Sequence, residues 1–510
     1  MGKPKGASTP LVSRKAVPID TEGGQLEKGR PKPKPSRPFY RRYCAITGFT
    51  CFLLFCLWSY AWDEFRFKEK ITSLVRSRGG EDVRRLDPMG VDAEKEPVYL
   101  SGPCKPSNNK LQLHEPKFED WTDDDIDAHR RDWQQWITQD FPRRPSYEEL
   151  SRRLAQNGLP AMEGRGIVIY GSRANLKWMN TTISFLHSYG TRLPIEIWSF
   201  ANEVSGSGDR AALEGLSRPG IPVRVRTVED EGNIFRMTRG RSNGWHIKVP
   251  ALLNCGFREV LALDMDNVPI VDPTFLFDSP EFRKKGAMFW PDYWKTHSQN
   301  PVWRWMGAPC VDEWEQESGM ILIDKERSWK ALNLLWYIER DDAIRKWHEF
   351  LHGDKDLYRF AFRATETPVY WVPHLVTPGG FVAPDDQGNP RFCGLCMVQH
   401  APSGNPIFAH CNLLKYANHR LFNATHPPLS VIKRYKPLPA EWLPVGPELG
   451  TRMMWGDTRG AHAGLISAHG MTCVDIFTDK MDGVERQIEM DSLEKFNPAF
   501  GERLYGMVFG

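Results

Sequence analysis

Short apolar runs broken by polar turns recur through most of the chain. One of them stops on acids: Val260-Leu261-Ala262-Leu263 leads straight into Asp264-Met265-Asp266-Asn267-Val268-Pro269. A continuous apolar run of this length is the mark of a buried parallel strand. Gly166–Gly171 reads as another short buried strand, and Leu193–Trp198 and Val223–Val225 as a second and a third. Between them, Trp178–Tyr189, Asp209–Leu216 and Lys248–Cys255 read as helices. Such alternation predicts an α/β domain, a parallel sheet with helices on both faces. Further along, Glu317-Ser318-Gly319 reads as a polar turn feeding a strand that ends at Asp324. Helices are expected over Trp329–Arg340 and Leu357–Ala364, and a short strand over Pro406–His410.

Towards the N-terminus the pattern changes. Residues 1–43 are rich in Lys, Arg, Pro and Gly, and a segment such as Lys28-Gly29-Arg30-Pro31-Lys32-Pro33 can hold neither a helix nor a core. Cys44–Trp62 then carries no charge over nineteen residues. As a helix it spans roughly 28 Å, close to the ~30 Å hydrocarbon thickness of a bilayer. Tyr43, Trp58, Tyr60 and Trp62 suit the interfacial belt, and the basic N-terminal flank predicts a single-pass type II anchor with the body across the membrane. Residues 63–115 read as a stem and 116–160 as a helical lead-in. The α/β body spans 161–440, and 441–510 form a C-terminal extension. In the lead-in, the acidic run Asp123-Asp124-Asp125 is explained by a helix N-terminus.

Composition adds little to this division. Of 510 residues, 41% are hydrophobic and 26% charged, ordinary values for a globular protein, and the net charge is +3. No basic patch interleaved with aromatics points to nucleic acid. Asn180-Thr181-Thr182 and Asn423-Ala424-Thr425 are glycosylation acceptors in agreement with a luminal body. Outside the anchor lie Cys104, Cys255, Cys310, Cys393, Cys396, Cys411 and Cys473. An oxidising lumen favours disulfides among them, and the odd count leaves one over. Cys393-Gly394-Leu395-Cys396 has no second Cys-x-x-Cys to complete a zinc site, so a structural bridge is expected there.

The chemistry is expected at the acidic strand end. Ligands of open α/β sheets bind beyond the carboxyl ends of the strands. Residues i and i+2 of an extended chain point to one side, so Asp264 and Asp266 would repel without a cation between them. Mn²⁺ or Mg²⁺ takes one or two carboxylates plus substrate phosphates, the logic of a nucleotide-sugar site. The strand Gly166–Gly171 lacks the Gly-x-Gly-x-x-Gly fingerprint of nicotinamide enzymes, and the chain has neither nucleophile elbow nor P-loop.

The order of the parts resembles a family. Gly164–Ile169, Leu193–Ile197, Leu263–Pro269, Phe277-Asp278-Ser279-Pro280, Phe289–Asp292, Glu317–Gly319, Gly353–Asp356 and Phe408–His410 together resemble the fungal Golgi α-mannosyltransferases, with a more distant likeness to glycogenin-type transferases. The resemblance implies a GT-A fold, a Rossmann-like mixed sheet behind an N-terminal transmembrane helix. It also implies a metal-dependent, retaining enzyme of the Golgi membrane that moves mannose from GDP-mannose to a mannose-containing glycan. The acceptor would be an N-glycan outer chain or cell-wall mannan, and the enzyme part of a Golgi mannosyltransferase complex. Met265 and Cys411 depart from the family pattern.

Carried over residue by residue, the resemblance makes Asp264, Asp266 and His410 ligands of Mn²⁺, with Mg²⁺ as the second choice. Asp264 would also meet the donor ribose. Tyr170, Gly171, Arg173, Lys248 and Lys415 would contact the donor nucleotide and diphosphate. Asp354, Asp356 and Glu317 are the candidate catalytic carboxylates. Each has an ordinary alternative: His410 a core histidine, Asp354 a helix N-cap, Glu317 a turn residue, Lys248 and Lys415 solvated charges. Spacing leaves a UDP-sugar donor open, and a luminal lectin or scaffold on the same fold remains the non-catalytic reading.

Overall fold

In the computed structural model, residues 121–435 and 463–510 are described, apart from 157, 159, 207, 239–243, 294–295, 297–299, 309, 311–313, 341–349, 352, 386, 477–479, 482–483 and 486–487. The tail, the anchor Cys44–Trp62 and the stem lie outside these residues. No helix among the described residues is long and apolar enough to cross a membrane.

Two sheets organise the body. The first contains β1 (Arg165–Tyr170), β2 (Ile195–Ser199), β3 (Val223–Thr227) and β4 (Glu259–Asp264) as a parallel block. Its order is β3-β2-β1-β4-β7-β6-β8, where β6 is Ala287–Pro291, β7 Gln316–Asp324 and β8 Tyr370–Trp371. β7 runs antiparallel to both β4 and β6. The sheet is therefore mixed, and not wholly parallel as simple strand–helix alternation predicts. The reversal comes from β7, which contains the expected polar turn: Glu317, Ser318 and Gly319 are strand residues, all buried.

The second sheet has the order β13-β14-β10-β9-β12-β17. Its strands are β9 (Thr377–Pro384), β10 (Pro390–His400), β12 (Val431–Tyr435), β13 (Ala463–Ala468), β14 (Met471–Ile476) and β17 (Ile488–Ser492). β11 (Pro406–His410) pairs with β10 on one side and with β5 (Asn267–Pro269) on the other. β15 (Lys480–Met481) and β16 (Val484–Glu485) form a separate pair. Residues 463–510, read from sequence as an extension, thus complete this sheet. It is fastened by the disulfide Cys393–Cys473, so Cys393 is bridged to β14 and not to Cys396. Cys310 is also disulfide-bonded, while Cys255, Cys396 and Cys411 are free and buried.

The helices are α1 (Asp123–Gln135), α2 (Tyr147–Gln156), α3 (Leu176–Ser188), α4 (Asp209–Glu214), α5 (Lys248–Asn254), α6 (Pro280–Lys285), α7 (Val302–Met306), α8 (Trp329–Glu339), α9 (Lys355–Ala364) and α10 (Phe500–Val508). Thr122 and Asp125 cap α1 reciprocally, and Asp123 pairs with Arg304 at 2.7 Å, which accounts for the acidic run without a metal. Trp133 of α1 donates its indole N–H to the Trp305 carbonyl at 3.0 Å. The lead-in shares one apolar core with β1, α5 and α8 on one face of the first sheet. A second core covers the other face, and a third lies between the second sheet and α10.

Candidate metal and donor site

The pair Tyr170↔Asp264 ends the β1–β4 ladder, so the loops after β1 and β4 leave the first sheet at the same edge. There the chain crosses between sheets. β4 ends at Asp264, Met265 and Asp266 form the turn, and Asn267 opens β5 in the second sheet. Asp264 and Asp266 therefore do not share one extended strand as expected. Asp266 reaches the site from the turn, and pairing does the rest: His410↔Asn267 in the β11–β5 ladder seats His410 against the aspartates. His410 Nε2 is 3.5 Å from Asp266 Oδ1 and 3.9 Å from Asp264 Oδ2. One ligand atom from each of the three residues lies within 4.8 Å of the other two. Octahedral coordination with bonds of about 2.1 Å separates neighbouring donors by ~3.0 Å and opposite donors by ~4.2 Å. The donor set of two carboxylates and one imidazole suits Mn²⁺ and admits Mg²⁺.

Behind His410 stands Glu317, with its Oε1 3.3 Å from His410 Nδ1. Glu317 also accepts the Gly319 N–H at 2.5 Å. A carboxylate on Nδ1 fixes the imidazole orientation and leaves Nε2 facing outward, the usual outer-shell arrangement of a metal histidine. Burial would raise the Glu317 and Asp266 carboxyls; His410 outweighs it and holds both below their ordinary range, with Lys415 adding to the effect on Asp266. Burial would likewise depress His410, but Glu317 and Asp266 push it well above the usual imidazole value.

Two lysines flank the triad. Lys415 Nζ is 2.8 Å from Asp266 Oδ2. Lys248, at the start of α5, is buried rather than a surface charge, and its Nζ lies 2.9 Å from Asp264 and 3.3 Å from Asp354. Asp354 occupies the N-cap position of α9 but makes no side-chain capping bond. Its carboxylate turns to Lys248, so capping does not explain it. With His410 neutral, Asp264, Asp266, Asp354 and Glu317 set four negative charges against two lysines. The balance of two negative charges matches a divalent cation.

Other expected residues lie elsewhere. Asp356 is closed into a buried network: it accepts the Gln316 N–H at 2.9 Å and pairs with Arg359 at 3.0 Å. Lys355 in the same network holds Asp292 and Glu315, each at 2.6 Å. Burial pushes the Asp356 carboxyl up to about 7 against the pull of Arg359. The Tyr170 ring is buried, with Lys248 Nζ 5.9 Å from its centre, and burial together with the nearby Asp264 and Asp354 raises its phenol well above the usual value. Gly171 is packed under Met179, whereas Arg173 stands exposed in the turn after β1. Asn180 accepts from Arg218 at 2.6 Å, and Thr182 is buried. Asn423 sits exposed in a turn, its Oδ1 accepting from Thr425 and His426.

Gly319 escapes a reading of motifs alone. A Cβ there would meet His410 Nδ1 at 2.7 Å and Glu317 Oε1 at 2.9 Å. Its carbonyl accepts from Asn267 Nδ2 at 2.7 Å, tying β7 to the crossing strand. The available signal was a glycine inside a strand, which marks close approach by a neighbour.

Residues 164–306 and 312–401 match the family described as "Mannosyltransferase putative". Three Candida albicans proteins are similar. Alpha-1,2-mannosyltransferase MNN21 is 24% identical over 196 residues, covering 37% of this chain and 30% of that protein. Alpha-1,2-mannosyltransferase MNN24 is 31% identical over 138 residues, 26% of this chain and 18% of that protein. Alpha-1,2-mannosyltransferase MNN23 is 23% identical over 286 residues, 47% of this chain and 46% of that protein. The chain thus spans less than half the length of each of these relatives. The likeness, over just under half of the chain, is to the fungal α-mannosyltransferases.

Proposed function

We propose that this protein is a metal-dependent retaining mannosyltransferase that takes GDP-mannose as donor and a mannose-containing glycan as acceptor. The observation that carries this reading is the convergence of Asp264, Asp266 and His410 at the edge of the parallel block, with Lys248 and Lys415 beside them. When bound, a divalent cation, Mn²⁺ by preference, supplies Lewis-acid stabilisation of the departing diphosphate. Asp264, Asp266 and His410 hold it, and Glu317 keeps the imidazole turned to it. Lys415 adds positive charge where the diphosphate departs. Lys248 holds Asp354 beside the metal ligands, where a carboxylate can stabilise positive charge at the anomeric carbon or trap it, the two roles known from retaining glycoside chemistry.

The relatives, all α-1,2-mannosyltransferases by name, support an α-1,2 linkage for the mannose added. The charge-free run Cys44–Trp62 and its basic N-terminal flank support a type II anchor with the body across the membrane, and the likeness to fungal mannosyltransferases points to the Golgi. Calorimetry of GDP binding tests the site: affinity should rise sharply with Mn²⁺ in the wild type and lose that response in His410→Ala. Equal affinity with and without Mn²⁺ would reject the metal assignment. UDP binding tighter than GDP under the same conditions would reject the donor. In sealed vesicles, the body beyond residue 63 should resist added protease, and its digestion would reject the topology.

A further inference from the structure

Two buried thiols lie directly behind the metal ligands and have no part in the reaction proposed above. Cys396 is on β10 and Cys411 immediately follows β11. The pair Met397↔His410 in that antiparallel ladder sets them opposite each other. Their sulfurs are 2.8 Å apart. A disulfide bond is about 2.05 Å long, so closing it needs a movement of under ~1 Å, within the play of two side-chain torsions. Both residues are almost wholly inaccessible, at 2% and 0% exposure, so neither presents a thiol to any other partner. On the same strand Cys393 is already bridged to Cys473.

We propose that Cys396 and Cys411 form a disulfide when the chain folds in an oxidising compartment. The two thiols give up two electrons and two protons to a small-molecule or protein disulfide, which is reduced to two thiols. One S–S bond forms in the protein and one breaks in the oxidant. The new bond ties the β10–β11 pair together one residue from His410. Cys411 also donates its N–H to the Asp266 carbonyl at 2.8 Å. The cross-link therefore restrains both second-sheet ligands through the backbone. Cys255 lies in a different core, its thiol against the Leu252 carbonyl at 3.2 Å, and is left as the free thiol among the described residues. The inference rests on sulfur geometry and does not depend on the donor or the metal.

The test uses the full chain expressed through a eukaryotic secretory pathway. It is denatured in acid with an alkylating agent and no reductant, then cleaved after methionine with cyanogen bromide. Cleavage after Met397 separates the two cysteines. The fragment ending at Met397 also carries Cys393, so the expected result is that it stays joined both to the one starting at Val398 and, through Cys393–Cys473, to the one starting at Thr472, the three together four hydrogens lighter than the unlinked fragments, until reductant is added. Cys255 should carry the label. The Cys393–Cys473 link is the internal control for oxidation. Label on both Cys396 and Cys411 in molecules that retain Cys393–Cys473 would overturn the proposal.

Discussion

Replacing Gly319 by Ala perturbs the proposed metal site through one methyl group. The backbone at Gly319 is outside the left-handed region, so alanine fits the strand itself. The obstacle is the pair behind the metal: the new Cβ would stand 2.7 Å from His410 Nδ1 and 2.9 Å from Glu317 Oε1. Non-bonded heavy atoms settle at ~3.5–4.0 Å, so the imidazole or the carboxylate must retreat by about 1 Å. Either movement breaks the orientation that Glu317 gives His410. Loss of such an outer-shell partner typically lowers metal affinity 10- to 100-fold, or ~1.4–2.7 kcal/mol. Titration of Mn²⁺ followed by electron paramagnetic resonance reads this directly. GDP binding without metal and the circular dichroism spectrum should match the wild type. Gly171→Ala is the control, because there the added methyl meets the end of the flexible Met179 side chain at 2.9 Å. Wild-type Mn²⁺ affinity in Gly319→Ala would refute the assignment of Glu317 and His410 as an orienting pair.

Asp354→Asn should preserve donor binding and lower turnover by orders of magnitude, measured as mannose transfer at saturating donor. Asp356→Asn should leave turnover near wild type and raise thermal stability above pH 7. The substitution balances a buried group of three carboxylates against Lys355 and Arg359, whereas the native carboxyl, pushed up to about 7, destabilises the fold increasingly as pH rises from about 4 to that value. The metal-free triad carries an opposite pair of dependences. Asp266 and Glu317, held low, contribute stability above their unfolded values near ~4, lost as pH falls through the folded ones. His410, held high, contributes stability below about 6.5 that is lost as pH rises through its folded value. Metal-free protein should therefore melt highest in mildly acidic buffer, while Mn²⁺ affinity should grow with pH by about tenfold per unit until His410 is neutral. A Mn²⁺ affinity independent of pH between 5 and 8 would contradict the ligand role of His410.

Much of this was legible in the sequence because burial leaves a strong trace. β1 and β4 are mostly buried and read as nearly continuous apolar runs, while β2 and β3 are betrayed by β-branched and aromatic residues around Glu196 and Arg224. Asp264 stood out because it interrupts one of them. The direction of β7 did not, since a strand reads the same forward and backward, and Glu317-Ser318-Gly319 look polar only until their partners are known. Glu317 is buried because His410 and the Gly319 N–H are there to receive it, and His410 lies almost a hundred residues further on. Asp354 and Asp356 show the same limit. They are two residues apart and alike in type, yet one faces Lys248 of α5 and the other Arg359 of its own helix. Which carboxylate reaches the site depends on the direction of α9 relative to α5, which no local pattern encodes.

The position of the triad also explains why the second sheet belongs to the site. Asp264 closes a strand of the first sheet, while Asp266 and His410 are held by the β5–β11 pairing of the second. A three-residue span joins them, with Met265 packed against the first sheet's core and the Thr182 hydroxyl bonded to the Met265 and Asn267 carbonyls at 3.4 and 3.3 Å. An aspartate pair on a single strand would keep its spacing whatever happened to the rest of the protein. Here the distance from Asp264 to His410 is set by how the two sheets are fastened: through Asn267 to Gly319, through Thr182 to the crossing turn, and through the Cys411 N–H to the Asp266 carbonyl. The first starts from the residue next to Asp266, and the other two end on the Asn267 and Asp266 carbonyls. Residues that have no ligand atom in the proposed centre, Asn267 and Thr182 among them, thereby help set its geometry, and the thiol pair on β10 and just after β11 is in a position to do the same.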